Sequence, residues 1–163
     1  MKSTPLTKSL TLMTGALALS AAMAMPAIAD DMRLFEKKAK FADVKSDLAN
    51  AIVNRGLVND YTGNIGGMLD RTGADVGSTK PIYKAAEYMT FCSAKYSRTM
   101  MEADPTNMGF CPFVVFAYEP AAKPGTVVVG YRVPSSSKGN KATKAVLREI
   151  DKMLESIAKE ATK

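Results

Sequence analysis

Two short runs near the middle of the chain constrain its fold more than any other feature. Residues 110–118 are almost continuously aromatic or apolar, and residues 126–133 are rich in β-branched side chains. The connection at 119–125 carries Pro120, Pro124 and Gly125. Branched and aromatic side chains suit a pleated surface, and the prolines and glycine break the run, so the segment predicts a β-hairpin. Helical periodicity flanks it on both sides. Phe41, Val44, Leu48, Ile52 and Val53 recur at three- and four-residue steps, with Gly56 placed to end that helix in a left-handed cap. Ala145, Val146, Ile150, Met153, Leu154 and Ile157 trace a second stripe in a C-terminal helix over 141–163, with Asn140 as its cap.

The remaining patterns complete the order. Strands are expected over 32–40, 58–65 and 87–92, and a short helical piece over 66–70. Ser93 starts a helix that Pro105 stops, while residues 72–81 and 135–140 read as loops. Strand, helix, strand, short helix, strand, helix, hairpin, helix is the order of an α+β fold. Its expected architecture is two layers, a mainly antiparallel sheet with helices packed on one face.

Residues 1–29 carry Lys2 and Lys8 but no acid, then an apolar, alanine-rich stretch, and end in Ala27-Ile28-Ala29. That is the layout of a cleaved export signal, too short for a membrane span, with cleavage before Asp30. Of 163 residues it removes 29 and leaves 134 for a single domain at 30–163. The expected location is periplasmic or secreted, with no membrane span after processing. The leader takes two of the 22 basic residues and none of the 16 acidic ones, so 20 against 16 leaves a net charge of +4. Basic residues in the last helix alternate with acids, which reads as a solvated face and argues against a nucleic-acid partner. The chain has no histidine, which removes the serine–histidine triad and histidine-ligated zinc, haem and iron centres from consideration. The run Gly63-Asn64-Ile65-Gly66-Gly67 lacks the context of a phosphate loop and reads as a turn.

Cys92 and Cys111 are the only thiols. In an oxidising compartment an even count invites a disulfide, with buried apolar cysteines and a reactive or ligand-binding thiol as the alternatives. The helix between them carries the chain about 15 Å away, and a disulfide needs Cα atoms within about 7 Å. The two meet only if residues 105–110 double back. Cys92 precedes a helix N-terminus, where partial positive charge stabilises a thiolate, and Lys95 and Arg98 lie in the first turns of that helix. Met100, Met101 and Met108 lie near the cysteine segments, but methionine is ordinary core filler and no metal site is assigned. Tyr83, Tyr88, Tyr96, Tyr118 and Tyr131 are pocket or core candidates. Arg132 is a candidate for holding an anion, or a rim charge. The carboxylates Glu87, Glu102 and Asp104 have no spacing that implies shared acid–base work.

The motifs Tyr88-Met-Thr-Phe-Cys92-Ser-Ala, Met100-Met-Glu-Ala-Asp104-Pro105, Phe110-Cys111-Pro112-Phe-Val-Val-Phe-Ala-Tyr118-Glu119 and Val127-Val-Val-Gly-Tyr131-Arg132 resemble the family called domain of unknown function 302. The resemblance covers residues 35–134, with the C-terminal helix less characteristic. It implies a compact α+β domain similar to the TATA-binding-protein architecture and no established general activity, and it leaves any cofactor unknown. The resulting expectation is a binding or accessory domain, more a binder than an enzyme, for a small molecule or a periplasmic protein partner, with Cys92, Cys111, Tyr96, Arg98, Tyr131 and Arg132 as candidate binding residues. A thiol redox or sulfur-handling protein using Cys92 and Cys111 is the alternative, and a structural subunit of an envelope complex, as a homodimer or larger assembly, is a third.

Overall fold

The structure is a computed structural model that describes residues 31–163, so the leader and its cleavage point lie outside the described residues. The chain runs β1 (Met32–Lys38), α1 (Phe41–Val53), β2 (Tyr61–Gly63), α2 (Ile65–Thr72), β3 (Tyr83–Phe91), α3 (Ala94–Ala103), a 3-10 turn (Pro105–Phe110), β4 (Phe113–Pro120), β5 (Thr126–Arg132) and α4 (Lys141–Ala161). The five strands form one sheet in the order β1-β5-β4-β3-β2, every neighbouring pair antiparallel. The fold is α+β, and the element order is the one the periodicities predict.

Side chains alternate across each strand, so the sheet has two distinct faces. Met89, Phe91, Phe113, Val115, Ala117, Val127, Val129 and Tyr131 point inward, where α1 contributes Val44, Leu48 and Ile52, and α4 contributes Leu147, Ile150, Leu154 and Ile157. These are the stripes seen in the sequence. Asn140 caps α4 by accepting from the Thr143 amide at 2.8 Å. Gly56 takes a positive φ of 69° just after α1, a conformation that costs glycine little. Arg55 then ties α1 to α4, donating to Ser156 Oγ at 3.0 Å and to Glu160 Oε2 at 2.8 Å.

Three features depart from the sequence reading. β2 is three residues long instead of spanning 58–65, because Val58 is exposed and the segment leaves the sheet where its apolar residues meet no core. β3 begins at Tyr83 and not at Glu87, because β4 pairs with it back to Tyr83↔Pro120 through an irregularity between Tyr83 and Ala85. α1 and α4 share one face, but α2 lies on the other, with Gly66 so close to the Ala86 backbone that a Cβ there would stand 2.9 Å from the Ala86 nitrogen.

The turn after α3 reverses the chain through side-chain hydrogen bonds. Asp104 Oδ1 accepts from the Thr106 amide at 2.8 Å. Asn107 is buried, and its Nδ2 donates to Met100 O at 2.7 Å and to Thr143 Oγ1 at 2.9 Å, which pins the turn between α3 and α4. A buried amide satisfied in this way holds one geometry.

Candidate functional site

Two cross-strand rows on the face of the sheet turned away from α1 and α4 shape the candidate site. The central row runs Leu34, Gly130, Phe116, Tyr88, Gly63, one residue from each strand in register. Two glycines interrupt its bulky residues, Gly130 between Leu34 and Phe116 and Gly63 beside Tyr88. At Gly130 a Cβ would stand 2.6 Å from Leu34 Cδ2 and 2.7 Å from Phe116 Cζ, so the missing side chain is what lets those two groups approach each other. Gly63 likewise makes room for the Tyr88 ring. The flanking row runs Glu36, Val128, Tyr118, Ala86.

Over these rows lies a groove of about 440 Å³, lined by Met32 and Leu34 on β1, Ile65 at the start of α2, and Tyr83, Ala86, Phe116 and Tyr118. Tyr83 and Tyr118 pack at 5.2 Å between ring centroids, and Phe116 stacks on Tyr118 at 6.1 Å, so one wall is a continuous aromatic surface. Leu34 is 52% exposed and Met32 41%, large apolar residues left open to water. The charged groups nearby are paired, Glu87 with Lys45 at 2.7 Å and Glu36 with Lys123 at 2.6 Å. Burial pushes the Tyr118 phenol above its ordinary value, with Tyr83 and Glu36 adding to the effect, so at neutral pH it remains a hydrogen-bond donor.

The thiols meet at one end of the sheet. The β3–β4 ladder finishes at Phe91↔Phe113, so Cys92 leaves β3 next to the point where Cys111 and Pro112 lead into β4. The reversal at the 3-10 turn returns the chain to this edge, and the Cys111 side chain is near enough to act on the Cys92 thiol. Ser97 Oγ on α3 is 3.3 Å from Cys111 Sγ. Both cysteines are free, Cys92 exposed and Cys111 half-buried. Burial raises the Cys92 thiol above its ordinary value, and Cys111 and Asp60 raise it further. This reverses the thiolate-stabilising effect expected from the sequence, and the groups invoked there are engaged elsewhere. Ser93 caps α3 at the Tyr96 amide, Lys95 lies 5.7 Å from the centre of the Tyr96 ring, and Arg98 pairs with Glu102 at 2.8 Å.

A family model described as Domain of unknown function DUF302 matches residues 35–161. The chain belongs to the DUF302 family. The match extends through α4, past the boundary at Pro134 that the sequence motifs suggested, and α4 supplies a large part of the core. Among solved structures, the uncharacterized conserved protein DUF302 from Bacillus stearothermophilus is similar with a TM-score of 0.68, at 14% identity over 82% of this chain and 99% of that one. That likeness concerns the fold. No curated protein matches.

In this DUF302 domain the six residues singled out from the sequence do not form one site. Cys92 and Cys111 come together, with Ser97 as an unforeseen third member. Tyr131 points into the core with no exposed surface, its hydroxyl donating to Asp151 Oδ1 at 2.8 Å. Its position two residues beyond Val129, itself two beyond Val127, was the available signal for that face. Arg132 faces the opposite way, 79% exposed, and lines a separate cleft of about 310 Å³ with Phe110, Pro112 and Val114. Tyr96 lines a shallow cleft between α3 and α4, and Arg98 projects to solvent. Met100 is core, Met101 is packed against it and Met108 is exposed. Among the described residues no three histidine, cysteine or acidic side chains cluster for a metal ion, and no helix is long and apolar enough to cross a membrane.

Proposed function

We propose that this DUF302 protein is an exported binding domain whose ligand is a small, uncharged, largely apolar molecule held on the open sheet face. The observation that carries this reading is the groove of about 440 Å³ walled by Met32, Leu34, Ile65 and the Tyr83–Tyr118–Phe116 aromatic surface. Its size suits a small organic molecule, and it combines apolar walls with a few polar tips, the usual make-up of such sites. The tyrosine hydroxyls supply those tips. Glu87 in the groove lining and Glu36 beside it are each paired with a lysine, which favours a neutral ligand over an ionic one. The leader reading places this binding outside the cytoplasm.

Titration of the mature chain, residues 30–163, with the apolar fluorophore N-phenyl-1-naphthylamine tests the reading. Saturable binding at one site is expected. Leu34→Glu puts a charge on the groove wall at an exposed position and is expected to weaken binding at least about tenfold, the equivalent of about 1.4 kcal/mol. Val53→Glu, exposed on α1 and remote from the groove, is expected to bind like the parent. Unsaturable uptake, or equal weakening by both substitutions, would show that the groove is not the site.

A further inference from the structure

We propose that Cys92 and Cys111 form a reversible dithiol–disulfide couple in which exposed Cys92 reacts first with a small external disulfide and half-buried Cys111 closes the bond. The proposal stands apart from the groove, because the thiols lie at the end of the β3–β4 ladder and not among the groove residues.

Three observations carry it. First, the ladder ends at Phe91↔Phe113, and both rings are buried in the core, so the strand ends on which the cysteines sit are held in place. Second, the turn that returns the chain is pinned by buried Asn107, which keeps Cys111 at this edge without needing a covalent bond. Third, the two sulfurs differ in access and in neighbours. Cys92 is exposed, while Cys111 is half-buried with Ser97 Oγ at 3.3 Å. The less accessible sulfur suits the second attack, which needs no approach by an outside reagent.

The exchange balances with a low-molecular-weight disulfide as oxidant. The Cys92 thiol gives its proton to water, and its thiolate attacks one sulfur of the reagent. The reagent S–S bond breaks, one thiolate leaves, and a mixed disulfide forms on Cys92. Deprotonated Cys111 then attacks the Cys92 sulfur and expels the second reagent thiolate. The protein loses two electrons and two protons, and the reagent gains both as two thiols. Excess reduced thiol reverses every step. The closed bond joins the exit of β3 to the entry of β4 and turns α3 with its following turn into a covalent loop.

The test is equilibration of the mature chain in buffers of defined reduced-to-oxidised glutathione ratio, followed by acid quench, alkylation and mass spectrometry. The expected result is a folded protein that loses two hydrogens as the ratio falls, gives a linked Cys92–Cys111 peptide, and recovers both thiols when the ratio is restored. Cys111→Ser is expected to accumulate one glutathione on Cys92. Cys92→Ser is expected to take up glutathione at least tenfold more slowly. Mixed disulfides on both cysteines of the parent without an internal bond would overturn the proposal, as would equal rates in the two variants. The titration of the parent alone decides whether the bond forms, so the result does not depend on either variant folding.

Discussion

Phe91→Ala is expected to lower the unfolding free energy by about 3–5 kcal/mol, the range for truncating a fully buried aromatic residue. Phe91 has no exposed surface and meets Phe113 edge-on, with ring centroids 6.0 Å apart at 67°. The loss combines the transfer of the ring, the cavity left behind and the aromatic contact itself. Domains of this size are stable by only about 5–15 kcal/mol, so the variant should lie near the edge of folding. Urea denaturation followed by circular dichroism measures the effect as a fall in midpoint at unchanged slope. A shift corresponding to less than about 1 kcal/mol would mean that the ring is not the keystone of this edge. Because Phe91 and Phe113 close the ladder beside the cysteines, the variant should also slow formation of the Cys92–Cys111 bond.

Asp151→Ala is expected to cost about 2–3 kcal/mol, chiefly because the buried Tyr131 hydroxyl loses its charged acceptor. Asp151 on α4 receives Arg33 through Nε at 3.1 Å and Nη2 at 3.0 Å, and the Tyr131 hydroxyl at 2.8 Å. Without the carboxylate, Tyr131 keeps only the Asp151 carbonyl at 3.3 Å, and the bidentate clasp of β1 on α4 is gone. The effect depends on pH in a direction set by the carboxyl. Arg33 first, with Tyr131 assisting against the opposing effect of burial, holds Asp151 below its ordinary value. A group depressed in the folded state contributes fully above its unfolded value, about 3.9, and loses that contribution as pH falls toward the lower folded value. Thermal melts of the parent and of Asp151→Asn should therefore converge as pH drops below about 4. A gap in midpoint that stays constant across that window would remove the carboxylate from the account.

Much of the architecture was legible in the residues themselves. The stripes of α1 and α4, the strand read over 126–133 and found over 126–132, and the caps at Asn140 and Gly56 are local signals, and each is realised. Tyr131 was legible as well, since it shares its parity with Val127 and Val129. The candidate sites were legible only in part. Tyr83 and Tyr118 stood among the pocket candidates, but Met32, Leu34, Ile65 and Phe116 carried no signal as a group, because the groove takes its residues from β1, α2, β3 and β4. The approach of Leu34 and Phe116 depends on Gly130, on the strand that separates theirs, which no run of sequence displays.

The cysteines mark the division most clearly. Their number and the cap at Ser93 could be read from the chain, and so could the condition that residues 105–110 must turn back for them to meet. Whether the turn reversed depended on a hydrogen bond from Asn107 to Thr143, 36 residues further on, inside a core that exists only once α3 and α4 have packed. Periodicity and capping act over one or two turns of chain, so sequence alone determined the elements and their inward faces. Strand order, the rows across the open face and the meeting of the two sulfurs are set by contacts between distant segments, and only tertiary packing decided them.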